Sequence, residues 1–145
     1  MSASPPSIRI ETVERPAREF VKQVNDGLTH FNRQHIPQDN YLPISVFARD
    51  ASGKIVGGAV CAVYWNAFTV EMLWLEESLR GQGIGTLLME DAEIAARQHG
   101  CGFIHVDTMS FQARAFYEKL GFALFGTLPG YPGGVERYYM HKPLL

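Results

Sequence analysis

Three glycines at alternate positions, Gly81, Gly83 and Gly85, stand between an apolar run and an amphipathic one in LWLEESLRGQGIGTLLM, residues 73–89. The chemistry such a loop offers is anion binding. The first N–H groups of a helix have no partner within it. The positive end of the helix dipole favours negative charge, and residues without a Cβ let an anion come close. The segment reads as a phosphate cradle between a strand and a helix. A Walker A loop requires Gly-Lys-Ser/Thr, which this chain lacks. A dinucleotide fingerprint counted from Gly81 requires glycine at the position of Thr86, early in a βαβ unit. The remaining pattern is Arg-x-x-Gly-x-Gly, from Arg80 through Gly83 to Gly85.

The elements that must position this loop follow from apolar periodicity. Upstream, Phe68 to Leu75 is the strand that feeds it. Strands over Ile44–Arg49 and Ile55–Tyr64 precede it, joined by turns at Asp50–Gly53 and Trp65–Ala67. Gly57-Gly58 marks a bulge or a close backbone approach. Downstream, Ile84, Leu87, Leu88, Ala92 and Ala95 form the stripe of an amphipathic helix that stops at Gly100. A strand over Phe103–Thr108, a helix over Ala113–Leu120 and two strands, Phe122–Leu128 and Val135–His141, complete the chain. At the other end, Ile8–Val13 alternates as a short strand. Residues 16–34 read from Pro16 as one helix or two short ones, with Gly27 as the place of a break, and His35–Pro43 reads as a loop. Met1–Ser7 reads as a flexible tail.

The expected architecture is mixed α/β: about seven strands in a largely antiparallel sheet with about four helices, in one domain over residues 1–145. The strands on either side of the helix after the glycine loop are expected to run parallel. At 46% apolar residues the chain has enough to fill one core. A net charge of −2 gives no reason to expect nucleic acid. The five histidines do not cluster at metal-ligand spacing, so no metal is expected. Cys61 and Cys101 read as reduced, buried thiols of a cytoplasmic protein. No export signal is visible, and no apolar run approaches transmembrane length, so no membrane partner is expected.

A second signature lies at a matching distance. Ala113, Tyr117, Gly121 and Phe122 stand as Ala-x-x-x-Tyr-x-x-x-Gly-Phe, one helix and one strand after Arg80/Gly83/Gly85. Together these segments resemble the GNAT (GCN5-related) N-acetyltransferase superfamily. The resemblance is close from Ile44 to Phe122 and topological elsewhere. It departs where the family often has Asn and this chain has Ser110, and where many members have Pro and this chain has Glu77. It implies the GNAT fold, with the central parallel pair splayed to form a cofactor cleft. It also implies acetyl transfer from acetyl-CoA to a primary amine of a small molecule or peptide, by direct attack in a ternary complex. A homodimer is expected from the resemblance only.

On that reading the backbone from Gly81, Gln82, Gly83, Ile84 and Gly85 to Thr86 holds the pyrophosphate, with Arg80 and the Thr86 hydroxyl assisting. Backbone groups of Leu73, Trp74 and above all Leu75 bind the pantetheine or the acetyl carbonyl, because splayed strands leave such groups unpaired. Ser110 and Ala113 complete the cofactor wall. Tyr117 is the candidate general acid toward sulfur, since a phenol of reference pKa ~10 is protonated at neutral pH. The plainer reading of Tyr117 is a core residue on an apolar stripe. Glu71, a lone acid in FTVEMLWL, is the candidate base, with Leu73 and Leu75 on its face by period two and burial raising its pKa. Its plainer reading is a solvated acid on the sheet. His105 and Asp107 share a strand face and read as a structural polar pair. The acceptor is expected among His35–Tyr41 and Tyr131–Tyr139, where Arg137 would meet a substrate carboxylate or the aromatics a cation. Two alternatives use the same loop: a non-catalytic acyl-CoA sensor and a nucleotide-binding regulatory domain.

Overall fold

A computed structural model describes residues 7–145. The chain forms two units, Met1–Gln38 and Asp39–Leu145. The tail expected over Met1–Ser7 lies, apart from Ser7, outside the described residues.

In the first unit, α1 runs from Arg18 to Arg33. It starts two residues after Pro16, with Ala17 as N-cap. Gly27 does not break it. A glycine inside a helix costs about 1 kcal/mol relative to alanine, a penalty the flanking turns can carry. Lys22 and Asp26, one turn apart, pair at 2.6 Å on either side of that turn. The strand expected over Ile8–Val13 does not form. Six alternating residues are not a strand without a neighbour to take their hydrogen bonds. Among the described residues the fold therefore has three α-helices and six strands, not about four and seven.

The second unit is a six-stranded sheet: β1 (Leu42–Arg49), β2 (Ile55–Tyr64), β3 (Ala67–Leu75), β4 (Phe103–Met109), β5 (Ala123–Leu128) and β6 (Arg137–Pro143). The order across it is β1-β2-β3-β4-β6-β5, antiparallel throughout except between β3 and β4. Helix α2 (Ile84–Gln98) is the crossover that makes that pair parallel, and α3 (Arg114–Lys119) follows β4. One-turn 3-10 helices occupy Glu77–Leu79 and Pro132–Gly134. The core lies between one face of the sheet and these two helices. Ala59, Cys61 and Val63 of β2, Phe68 and Val70 of β3, Ile104 and Val106 of β4 and Met140 of β6 meet Met89, Ala92 and Ala96 of α2 and Tyr117 of α3. The alanines at 92 and 96 are fully buried, which lets the α2 backbone sit close on the strands.

Two irregularities of β3 shape the site. Its pairing with β4 covers only Ala67–Val70 against Phe103–Val106, although both strands continue. From Glu71 onward β3 and β4 diverge as a fork. Its pairing with β2 steps from Cys61↔Val70 to Val60↔Met72, so Glu71 is an inserted residue with no partner on β2. The insertion changes the inward positions from even (Phe68, Val70) to odd (Leu73, opposite Ala59). Gly57 is required by the end of this strand. A Cβ there would lie 2.6 Å from Leu75 Cδ1 and 2.9 Å from the Trp74 carbonyl oxygen. The Gly57-Gly58 pair thus serves close approach.

Candidate active site

The glycine loop follows β3 through the turn Glu77–Leu79. Gly81 and Gly83 adopt left-handed backbone, φ 76° and 82°, where a Cβ is strained. No heavy atom stands within 4 Å of a Cβ built on either. Gly83 caps α2 without a side-chain bond, and Leu87 makes the first helical bond, to the Gly83 carbonyl at 3.1 Å. The N–H groups of Ile84, Gly85 and Thr86 therefore have no partner in the helix. They face an opening cleared of side chains. Gly85 has a second role, since its Cβ would touch the Phe116 ring at 3.4 Å. Its smallness docks the first turn of α2 against α3. The loop is braced by Gln82 Nε2 on the Ser78 carbonyl (3.1 Å) and Arg80 Nε on the Leu75 carbonyl (3.0 Å).

The Arg80 bond modifies one expectation. The carbonyl of Leu75 is already engaged by a guanidinium, while Leu73 and Trp74 keep the fork side of β3 without a paired strand. Leu73 packs on the core, and Trp74 stands opposite Gly58 with half its surface exposed.

Tyr117 comes up from α3 beneath the fork. It is 5% exposed, held between Phe116 and Phe122 by edge-on contacts at 5.3 and 5.5 Å. Its hydroxyl has no hydrogen bond among the described residues, yet it is not among fully enclosed polar atoms without a partner. A phenol with a buried ring and an accessible, unengaged oxygen is a donor waiting for an acceptor. Burial, with the nearby charges of Asp107 and Cys61, pushes its pKa up to about 12. Glu71 is exposed, so it lacks the buried setting expected from the strand. Its charge acts on the Cys61 thiol, which burial and that charge push up to about 12. Glu71, Cys61 and Tyr117 thus form one electrostatic neighbourhood at the base of the fork.

The other wall is β4 and the turn after it. The Ser110 hydroxyl accepts from the Glu136 N–H at 3.0 Å, and the Ser110 N–H donates to the Glu136 carbonyl at 2.8 Å. Only the Ser110 O–H remains for a ligand. Ala113 opens α3, its N–H donating to Thr108 Oγ1 at 3.2 Å. Sequence reasoning missed two residues that fix this turn. Thr108 is 4% exposed, and Gln112 Oε1 accepts from its hydroxyl at 3.3 Å and from the Met109 N–H at 2.7 Å. A polar residue in a core-facing strand position, four before a glutamine, was the available signal.

His105 and Asp107 do not pair with each other. His105 Nε2 lies 2.6 Å from Thr69 Oγ1, and burial lowers its pKa against the opposing pull of Asp107. Asp107 accepts instead from Arg137 Nε at 2.6 Å. Of the loops expected to build an acceptor site, the second is pinned to the fork by Ser110 and Asp107. Asn40 and Tyr41 of the first lie at the other end of β3. Asn40 brackets Trp65, donating to its carbonyl and accepting from its N–H, both at 2.7 Å, and Tyr41 packs on Tyr64. The structure does not bring them to the fork. No group of three or more metal-binding side chains occurs among the described residues. No helix among them is long and apolar enough to cross a membrane.

Comparison with known proteins agrees with this fold. Residues 10–122 match the model of the acetyltransferase (GNAT) family. A blasticidin-S acetyltransferase of Streptomyces morookaense is 37% identical over 106 residues, 70% of this chain and 78% of that protein. A crystal structure of an acetyltransferase from Bacillus cereus superposes with a TM-score of 0.81 at 28% identity, covering 92% of this chain and 98% of the other. A Bacillus anthracis structure in complex with acetyl coenzyme A shares the fold at a TM-score of 0.63 and 22% identity, over 70% of this chain and 62% of that one. The match over residues 10–122 spans the cradle, the fork and Tyr117, and on it the chain belongs to the acetyltransferase (GNAT) family.

Proposed function

We propose that the chain transfers an acetyl group from acetyl-CoA to a primary amine of a small molecule, by direct attack with both substrates bound. The protein is an acetyl-CoA-dependent N-acetyltransferase. The observation that carries the finer reading is the fork at Val70/Val106. It opens beside the unengaged Tyr117 hydroxyl on one side and beside Glu71, free of any strand partner, on the other.

The residues fit the cosubstrate. A Cβ at Gly81 or Gly83 would project into open space at the head of α2, which is the room a pyrophosphate needs. The N–H groups of Ile84 to Thr86 hold it, with the Thr86 hydroxyl alongside. The unpaired edge of β3 past Val70 offers its backbone groups to the pantetheine amides, as a strand would. Acetyl-CoA, when bound, supplies an activated thioester whose sulfur departs. Glu71 attracts the cationic amine and takes its proton, directly or through water, so that the nitrogen becomes nucleophilic. Tyr117 keeps its proton on Oη until a thiolate develops beside it. Its raised pKa makes the phenol a poor acid toward water but a good hydrogen-bond donor to a growing negative charge. The fork holds both reactants in line, an effect that supplies several kcal/mol.

The name of the Streptomyces morookaense relative supports a small-molecule acceptor. The test is thiol release from acetyl-CoA across a panel of small amines and amine-terminated peptides, alongside calorimetric titration with acetyl-CoA. Binding with amine-dependent release supports the proposal. Binding without release from any amine would leave an acyl-CoA sensor, and absence of binding would overturn both readings.

A further inference from the structure

Glu71 and Asp107 are the first residues past the last β3–β4 pair, one on each arm of the fork. They differ in one respect. Glu71 has no ion pair among the described residues. Asp107 Oδ2 receives both Arg137 Nε, at 2.6 Å, and Arg137 Nη2. Arg137 reaches it diagonally, since β6 sets Arg137 opposite Met109 and Tyr139 opposite Asp107. The guanidinium also lies 5.4 Å from the centre of the Tyr139 ring. A guanidinium held by Asp107 and stacked near Tyr139 is committed within the protein, which removes it as the receptor of a substrate carboxylate.

We infer that Arg137 is a specificity-determining residue: of the two carboxylates that open the fork it neutralises Asp107 and leaves Glu71 without an ion pair, and so matches the site to an acceptor presenting a single cationic group there. The inference rests on acetyl transfer to an amine as proposed above. Stability does not explain the pair. Both side chains are about a third exposed, and such an ion pair contributes little to folding. Its effect on the site is larger, because it changes the charge beside the reacting amine by a full unit in a cleft.

The experiment compares kcat/KM for butylamine, one cation, and putrescine, two, and measures the binding of each by calorimetry. Arg137→Gln exposes the Asp107 charge, and the putrescine-to-butylamine ratio rises about three- to five-fold, the size of one solvent-accessible ion pair. Arg137→Lys keeps the charge and keeps the parent ratio. Asp107→Asn leaves Arg137 uncompensated, and the ratio falls, which tests the idea even if Arg137→Gln does not fold. Equal ratios in Arg137→Gln and Arg137→Lys, or an unchanged ratio in Asp107→Asn, would overturn the inference while leaving amine acetylation intact. Failure of the parent to acetylate any amine would instead overturn the function it rests on.

Discussion

Val70 and Val106 form the last pair between β3 and β4, and Glu71, next to Val70, is also the residue that β2 leaves without a partner. Bulge and fork therefore coincide at one position. A strand residue normally has a neighbour on each side, and Glu71 has neither. Replacing Glu71 with glutamine keeps its size and removes its basicity and charge. kcat/KM for the amine should fall about 100-fold, within the range of a lost general base, while calorimetry finds acetyl-CoA affinity unchanged. A parent-like kcat/KM would assign proton removal to water alone.

Tyr117→Phe removes one oxygen and keeps the ring between Phe116 and Phe122. Because no hydrogen bond within the described residues is lost, stability should change by less than about 1 kcal/mol. Turnover should fall about 10- to 100-fold with CoA affinity retained. The raised pKa adds a pH signature. With the phenol pushed up to about 12, the parent should show no alkaline loss of kcat from this group below about pH 11. An alkaline limb centred near ten that vanishes in Tyr117→Phe would show the hydroxyl to be less enclosed than the structure has it.

Gly83 and Gly53 form a matched pair for testing the cradle. Both have left-handed backbone, φ 82° and 88°, and a Cβ on either meets no atom within 4 Å. Alanine at either should cost about 1 kcal/mol by strain. Only at Gly83 does the methyl enter the space in front of the α2 N–H groups. Gly83→Ala should therefore weaken acetyl-CoA binding at least about 10-fold, the cost of pushing an anion off its donors. Gly53→Ala, in the β1–β2 turn, should leave binding unchanged. Equal effects on binding would move the cradle elsewhere.

The sequence carried the cradle and Tyr117 because both are local. Glycines before an amphipathic stripe imply open N–H groups whatever surrounds them, and a tyrosine four residues before Gly121 sits on a fixed helix face. The bulge at Glu71 was hidden, because a period-two pattern reads FTVEMLWL as one unbroken strand and only pairing with β2 reveals the inserted residue. The strand expected at Ile8–Val13 failed for the opposite reason, since alternation there was present without a partner. Asp107 with Arg137 became visible only in three dimensions, while Thr108, four before Gln112, left a local signal that sequence reasoning missed. The first joins residues thirty apart across two strands, and the second fixes the short turn between β4 and α3. Local geometry was legible, while the contact of Asp107 with Arg137 crosses strands and is one that no spacing encodes.

Cys61 and Tyr117 make a prediction about stability in alkali. Burial pushes the Cys61 thiol from 9.0 and the Tyr117 phenol from 10.0, each up to about 12. In both cases the charged form is the anion, and the unfolded chain releases the proton first. Between the unfolded and folded values the unfolded state binds fewer protons, so stability falls as pH rises. Below about pH 9 neither group contributes. From there Cys61 should erode stability by up to about 1.4 kcal/mol per pH unit, and Tyr117 should add a similar slope from about pH 10. The thermal midpoint should be level from neutrality to about pH 9 and drop with increasing steepness above it. Cys61→Ala lowers the midpoint everywhere by leaving a small cavity, but its decline between about pH 9 and 10 should be shallower than the parent's, with only the Cys101 thiol, which burial also raises, left to titrate there. A Cys61→Ala variant that declines as steeply as the parent over that interval would show that the Cys61 thiol is not what titrates.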